Sequence, residues 1–157
     1  MERIPMTAGG YRRLVEELKQ LKEVERPAVI AAISEARTHG DLSENAEYHA
    51  ARERQSFIEG RVVELESAIG HAEVIDPSKM TGKTVRFGAT VTLVDEETEE
   101  ESTYQIVGSH ESDVKSGLIS VTSPLARALI GRHSGDSIEV STPNGGRTYE
   151  ILEVTYV

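Results

Sequence analysis

Arg37-Thr38-His39-Gly40-Asp41-Leu42-Ser43-Glu44-Asn45-Ala46-Glu47-Tyr48-His49 interrupts a long helical region near its midpoint and packs charged, aromatic and hydrogen-bonding side chains around one glycine. Asp41-x-x-Glu44 has the form of a capping box, with Asp41 as N-cap, Glu44 reaching back to its amide, and Ser43 as a competing cap. Capping accounts for the two acids and for nothing else here. Leu42 is left exposed at the end of a rod, and Arg37, His39, Asn45, Tyr48, His49 and Arg52 crowd the same end. Two carboxylates at such an apex suit delivery of oxygen ligands to a hard ion such as Mg²⁺, which takes only one or two protein carboxylates. Zinc ligation by His39 and His49 is disfavoured, because no third soft ligand is near.

Working outward, Thr7 reads as the N-cap of a first helix, with Met6 placed to staple against Tyr11, and Gly9 and Gly10 weaken that first turn. Tyr11, Leu14, Leu18 and Leu21 recur at steps of three and four, the seam of a coiled coil. Pro27 lacks the amide that would bond the carbonyl of Glu23. No glycine or asparagine stop precedes it, and good helix formers follow, so the pattern predicts one kinked helix. Beyond the tip, Tyr48, Ala51, Gln55, Ile58, Val62, Leu65, Ile69 and Ala72 continue the same periodicity. Two such helices joined by a short loop fold back antiparallel, and about 30 residues per arm give a rod of about 45 Å. Such a rod buries one face of each helix and encloses no substrate.

The seam stops at Ile75-Asp76-Pro77-Ser78-Lys79-Met80-Thr81-Gly82, so the expected organisation is a hairpin over 1–76, a linker over 77–82 and a second domain over 83–157. In the second domain Val85 to Phe87, Ala89 to Val94, Ser102 to Val107, Leu118 to Thr122, Ser137 to Ser141 and Thr148 to Tyr156 read as short strands, with Pro143-Asn144-Gly145-Gly146 as a turn. Ser123-Pro124-Leu125-Ala126-Arg127-Ala128-Leu129-Ile130-Gly131 carries an N-cap, a proline at the first helical position and a terminal glycine. It predicts one short helix burying Leu125, Leu129 and Ile130 against a curled antiparallel sheet. The fold class is therefore α+β. The acidic run Asp95 to Glu101 reads as a hairpin connection kept soluble by charge, and His110 and His133 read as solvated loop residues.

The 157 residues carry a formal charge of -10. Residues 1–76 hold 10 basic and 15 acidic side chains and residues 77–157 hold 7 and 12, so neither half hides a basic arm. This argues against gripping bare nucleic acid by counterion release. There is no cysteine, which removes disulfides, thiolate metal sites and a cysteine nucleophile. No apolar run nears the roughly 20 residues of a membrane span and no signal-peptide core opens the chain, so a cytoplasmic protein without membrane contact is expected.

Ile4-Pro5-Met6-Thr7, Glu35-Ala36-Arg37, Gly40-Asp41-Leu42-Ser43-Glu44-Asn45-Ala46-Glu47-Tyr48-His49-Ala50-Ala51, Val74-Ile75-Asp76, Phe87-Gly88-Ala89-Thr90-Val91 and Ser123 to Gly131 together resemble the bacterial GreA/GreB transcript cleavage factors over nearly the whole chain. Leu42 and Glu47 are similar to the GreA branch. The resemblance implies an N-terminal coiled-coil hairpin and an FKBP-like β-rich domain. It implies a hairpin that enters the secondary channel of bacterial RNA polymerase, and a β domain that docks at the channel mouth through Ser123, Pro124 and Arg127. In backtracked complexes, Asp41 and Glu44 then help hold a shared Mg²⁺ of the polymerase active site while polymerase cleaves its own transcript. Arg37 and Arg52 become candidate contacts to the 3′ end of the nascent RNA, with Ser43, Asn45 and Tyr48 supporting the tip. The factor is then no enzyme itself, holds no cofactor of its own, is monomeric when free and favours short backtracks. Three rivals stand beside this reading: a channel-blocking inhibitor of the same architecture, a prolyl isomerase or chaperone built on the FKBP-like half, and a plain coiled-coil adaptor. The first is disfavoured by the intact acids and the second by a supply of only two Phe, five Tyr and no Trp.

Overall fold

The structure, a computed structural model, describes residues 2–157. It divides into two compact units, Tyr11–His71 and residues 2–10 with Ala72–Val157.

The first unit is an antiparallel helical hairpin. Helix α1 (Ala8–Gln20) passes into a π-helical stretch, Leu21–Glu25, and then into α2 (Arg26–Arg37), with helical backbone angles at each junction. The Arg26 N–H reaches back five residues to the Leu21 carbonyl. Pro27 at the start of α2 has no N–H to give, and the helix runs on through it as expected, the widened turn absorbing the missing bond. Helix α3 (Ala46–Gly70) returns alongside. Val29, Ile58 and Val62 form a buried cluster packed by Leu18 and Leu21, and Ile33, Leu65 and Ala68 are also buried. Ala68 rather than Ile69 takes the inward position at the end of the seam. Paired forks flank this seam. Arg26 bonds both oxygens of Glu59 at 2.8 Å, and Arg61 bonds those of Glu17 at 2.7 and 2.8 Å. Arg54 meets Glu25 at 2.6 Å.

The second unit holds a five-stranded sheet in the order β5-β4-β3-β7-β6, made of β3 (Thr90–Asp95), β4 (Glu101–Val107), β5 (Leu118–Ser120), β6 (Ser137–Thr142) and β7 (Gly145–Thr155). Strands β4 and β5 pair in parallel, so the sheet is mixed where an antiparallel one was expected. The Leu118–Ser120 strand is reached by a crossover through two 3₁₀ turns instead of a hairpin. Alternation along β3 buries Val91, Leu93 and Asp95. Val85 to Phe87 is no strand. Val85 exchanges backbone bonds with Arg132 and Gly131 (2.8 and 2.9 Å), and Arg86 starts a turn to Ala89. Helix α4 (Pro124–Leu129) opens on Ser123, whose Oγ accepts from the Ala126 N–H at 3.2 Å. It buries Ala126 and Leu129, with Leu125 against the core, while Ile130 points outward because the chain has left the helix there.

Two short strands lie within the 1–76 span expected to be hairpin alone. Strand β1 (Ile4–Thr7) pairs in parallel with β2 (Ala72–Ile75), which draws residues 2–10 into the β-rich unit. Thr7 is the N-cap of α1, its Oγ1 accepting from Gly10 N–H at 3.0 Å. Gly10 does not merely weaken this turn, because a Cβ there would fall inside the Glu111 carboxylate. The segment after β2 is a packed 3₁₀ turn, Pro77–Lys79, with Pro77 buried and Asp76 accepting from Ser78 N–H at 3.0 Å. The acidic run is the β3–β4 connection. Asp95 accepts from the N–H groups of Glu97 and Thr98 and meets Arg147 at 3.0 Å. Among the described residues no helix is long and apolar enough to cross a membrane.

Candidate functional site

The tip is built from devices that act over a few residues. Helix α2 ends at Thr38, whose hydroxyl donates to the Glu35 carbonyl at 2.6 Å, and Gly40 turns the chain at φ +119°, a conformation that disfavours any side chain. Asp41 then caps a single 3₁₀ turn, Leu42–Glu44. Its Oδ1 accepts from both the Ser43 N–H (3.0 Å) and the Ser43 hydroxyl (2.9 Å). These bonds, the backbone one first, hold the Asp41 carboxyl below its usual range, so it stays ionised. Both bonds converge on Oδ1.

Asp41 and Glu44 therefore do not cap α3, contrary to the box pattern. Three residues of 3₁₀ turn intervene, and Asn45 is the cap, its Oδ1 accepting from the Tyr48 N–H at 3.0 Å. Freed from capping α3, Asp41 and Glu44 are both exposed, and they line one open concavity of about 460 Å³ with His39, Asn45, Ala46 and Glu47. Leu42 is exposed beside them.

The remaining tip side chains brace this loop. Asn45 Nδ2 donates to the Ala36 carbonyl at 2.6 Å. His49 Nε2 donates to the Ser43 carbonyl at 3.2 Å, and the Tyr48 and His49 rings meet edge-on at 5.6 Å. Arg37 sits over the Tyr48 ring, 6.0 Å from its centroid. His39 bridges the two helices, Nδ1 to Glu47 at 3.0 Å and Nε2 to Glu35 at 3.3 Å. The hydrogen bond to Glu47, helped by the charge of both glutamates, raises its pKa. Both histidines are thus engaged by neighbouring oxygens, and among the described residues no group of three or more His, Asp or Glu is placed to hold a metal unaided. The spacing of Glu35 and His39, one helical turn apart, was the available signal for the His39 bridge. Arg52 lies exposed on α3 and outside the concavity.

The other expected site residues lie in the β-rich unit. Ser123 is committed to capping α4, Pro124 occupies its first position, and Arg127 is exposed on it. The aromatic side chains of that unit, Phe87, Tyr104, Tyr149 and Tyr156, pack against the sheet core.

Residues 4–74 match the GreA/GreB family described as transcription elongation factor, N-terminal, and residues 80–156 match transcription elongation factor, GreA/GreB, C-term. The chain is 68% identical to a transcription elongation factor GreA from Caulobacter sp. (strain K31) over 100% of both sequences. It is 65% identical to one from Phenylobacterium zucineum (strain HLK1), also over 100% of both. A solved prokaryotic transcription elongation factor GreA/GreB from Nitrosomonas europaea aligns with 98% of this chain and 100% of that one, at 26% identity and a TM-score of 0.44.

Proposed function

The chain belongs to the GreA/GreB family of transcription elongation factors, and from that premise we propose that its hairpin enters the secondary channel of bacterial RNA polymerase and stimulates the polymerase's own cleavage of backtracked RNA. The observation that carries this reading is the pair Asp41 and Glu44, both exposed on a turn that neither is needed to cap into α3. Two carboxylates with few protein partners fit a hard cation shared with another macromolecule, since such an ion accepts one or two protein oxygens and fills its remaining positions elsewhere. A bound Mg²⁺ supplies activation of water and stabilisation of the leaving oxygen in phosphodiester hydrolysis. The chain's own contribution is to present Asp41 ionised and to carry Glu44 one 3₁₀ turn away. Arg37 and Arg52 provide positive charge near extruded RNA, and Ser123, Pro124 and Arg127 a docking surface on polymerase. The factor acts in the cytoplasm as an activator and not as an enzyme.

A backtracked elongation complex with 5′-labelled RNA and Mg²⁺ tests the proposal. Wild-type protein is expected to shorten the RNA, and Asp41→Asn with Glu44→Gln to abolish the shortening while still competing with wild type for polymerase. Intact RNA and slowed elongation with wild type would instead identify a channel-blocking inhibitor.

A further inference from the structure

We propose that Asn45 is a positioning residue for the tip carboxylates, one amide that joins the ends of both helices and so fixes the loop carrying Asp41 and Glu44; this rests on the cleavage reading above. Every helix leaves unpaired carbonyls at its C-terminus and unpaired N–H groups at its N-terminus. Asn45 serves one group at each end, a carbonyl that also accepts from the His39 N–H and an N–H of the first turn of α3. Its Nδ2 donates to Ala36 O at the end of α2 (2.6 Å), and its Oδ1 accepts from Tyr48 N–H at the start of α3 (3.0 Å). A planar amide holds donor and acceptor at a fixed separation, so these two bonds set the distance between the helix ends. Residues 38–44 must close across that distance. The loop is otherwise held by Gly40, the Asp41–Ser43 turn, the contact of His49 with Ser43 O and the exposed His39 side chain, which reaches Glu35 and Glu47 through flexible carboxylates; Asn45 alone among these binds the backbone of both helices.

The chemistry selects asparagine. Aspartate and serine cap a helix as well as asparagine does. Aspartate has no N–H for Ala36 O, and the serine hydroxyl is too short to reach that carbonyl while capping. Ala36 O keeps the His39 N–H at 3.1 Å in either case, so α2 still ends in the same place. Asn45→Ser and Asn45→Asp therefore remove the bridge and keep the cap, and the pair controls for added charge.

In the backtracked-complex assay both variants are expected to match wild type in far-UV helicity, with half-saturating concentrations within about two-fold. Their cleavage rates at saturation should fall about ten-fold or more, because small displacements of positioned groups are costly. Wild-type rates in both variants would overturn the proposal, since capping alone would then suffice. If wild type itself leaves the RNA intact, the functional reading fails separately, and amide hydrogen exchange on the free protein decides. Residues 38–44 are expected to exchange faster in both variants while Ile58–Ala68 stays protected. Unchanged exchange at 38–44 overturns the bridge.

Discussion

Asp41 at the hairpin tip and Glu111 in the β-rich unit both collect hydrogen bonds from a short turn, yet they end in opposite states. Asp41 takes two donors from one residue, Ser43, on a single oxygen and remains exposed. Glu111 is 8% exposed. Its Oε2 accepts from Thr7 N–H (3.0 Å) and Gly108 N–H (2.7 Å), and its Oε1 accepts from the Thr7 hydroxyl. One carboxylate thus ties the N-cap of α1 to a turn 104 residues away. Local donors leave a carboxylate with an oxygen to offer, whereas distant donors and burial consume it. The first arrangement suits a ligand site and the second suits a joint.

The sharpest way to break this contrast is Glu111→Leu. It preserves bulk but leaves the N–H groups of Thr7 and Gly108 buried without an acceptor, each costing roughly 1–3 kcal/mol. The expected loss is about 3 kcal/mol, read by urea unfolding followed through the tyrosines of the β-rich unit. A loss under about 1 kcal/mol would show that water replaces the carboxylate and that the joint is not structural.

The same contrast separates what was legible in the sequence from what was not. Gly40, Asp41, Ser43 and Asn45 lie within six residues, so the turn and its exposed acids follow from local rules. The cap was misassigned because Asp41-x-x-Glu44 satisfies the box pattern as well as Asn45 satisfies the rule for a single cap; an intervening 3₁₀ turn decides between them, and no side-chain pattern announces it. Ile58 and Val62 follow from the helical periodicity of the seam, which on the other arm stops at Leu21 and does not name Val29. The pairing of Ile4–Thr7 with Ala72–Ile75 does not follow either, since nothing in either tetrapeptide names its partner. Glu111 lies in a polar loop, and only the fold brings Thr7 to it. Ile130 looked inward because it continues the apolar run of α4, but the helix ends at Leu129.

A smaller effect distinguishes the hairpin's carboxylates from that buried joint. Hydrogen bonds from Arg61 and Arg26, aided by their charge, hold Glu17 and Glu59 below the ordinary glutamate range. A depressed carboxyl contributes stability above its unfolded pKa and loses it as pH falls through the folded value. Hairpin stability should therefore decline from about pH 4.5 downward. The partners are part-exposed, with side-chain exposures of 28–47%, so screening keeps the effect modest and salt-sensitive. Helical melts between pH 7 and pH 3 should show the decline in wild type and a weaker one in Arg26→Met/Arg61→Met. Equal slopes in the two proteins would place the acid sensitivity elsewhere.

The smallest effect reads the tip itself. Asp41 is held below the usual carboxylate range first by the Ser43 N–H and second by the Ser43 hydroxyl. Ser43→Ala removes only the second donor. A carboxyl-carbon NMR titration of the free protein should then find the Asp41 pKa raised part of the way toward its ordinary value and still below it. Complete return to the ordinary value would mean that the hydroxyl, and not the backbone turn begun at Gly40, lowers the pKa of this carboxyl. The partial shift is expected because the backbone donor is fixed by the 3₁₀ turn and survives the substitution. The part of the shift that survives then belongs to chain geometry alone, to the N–H that the 3₁₀ turn after Gly40 aims at Oδ1.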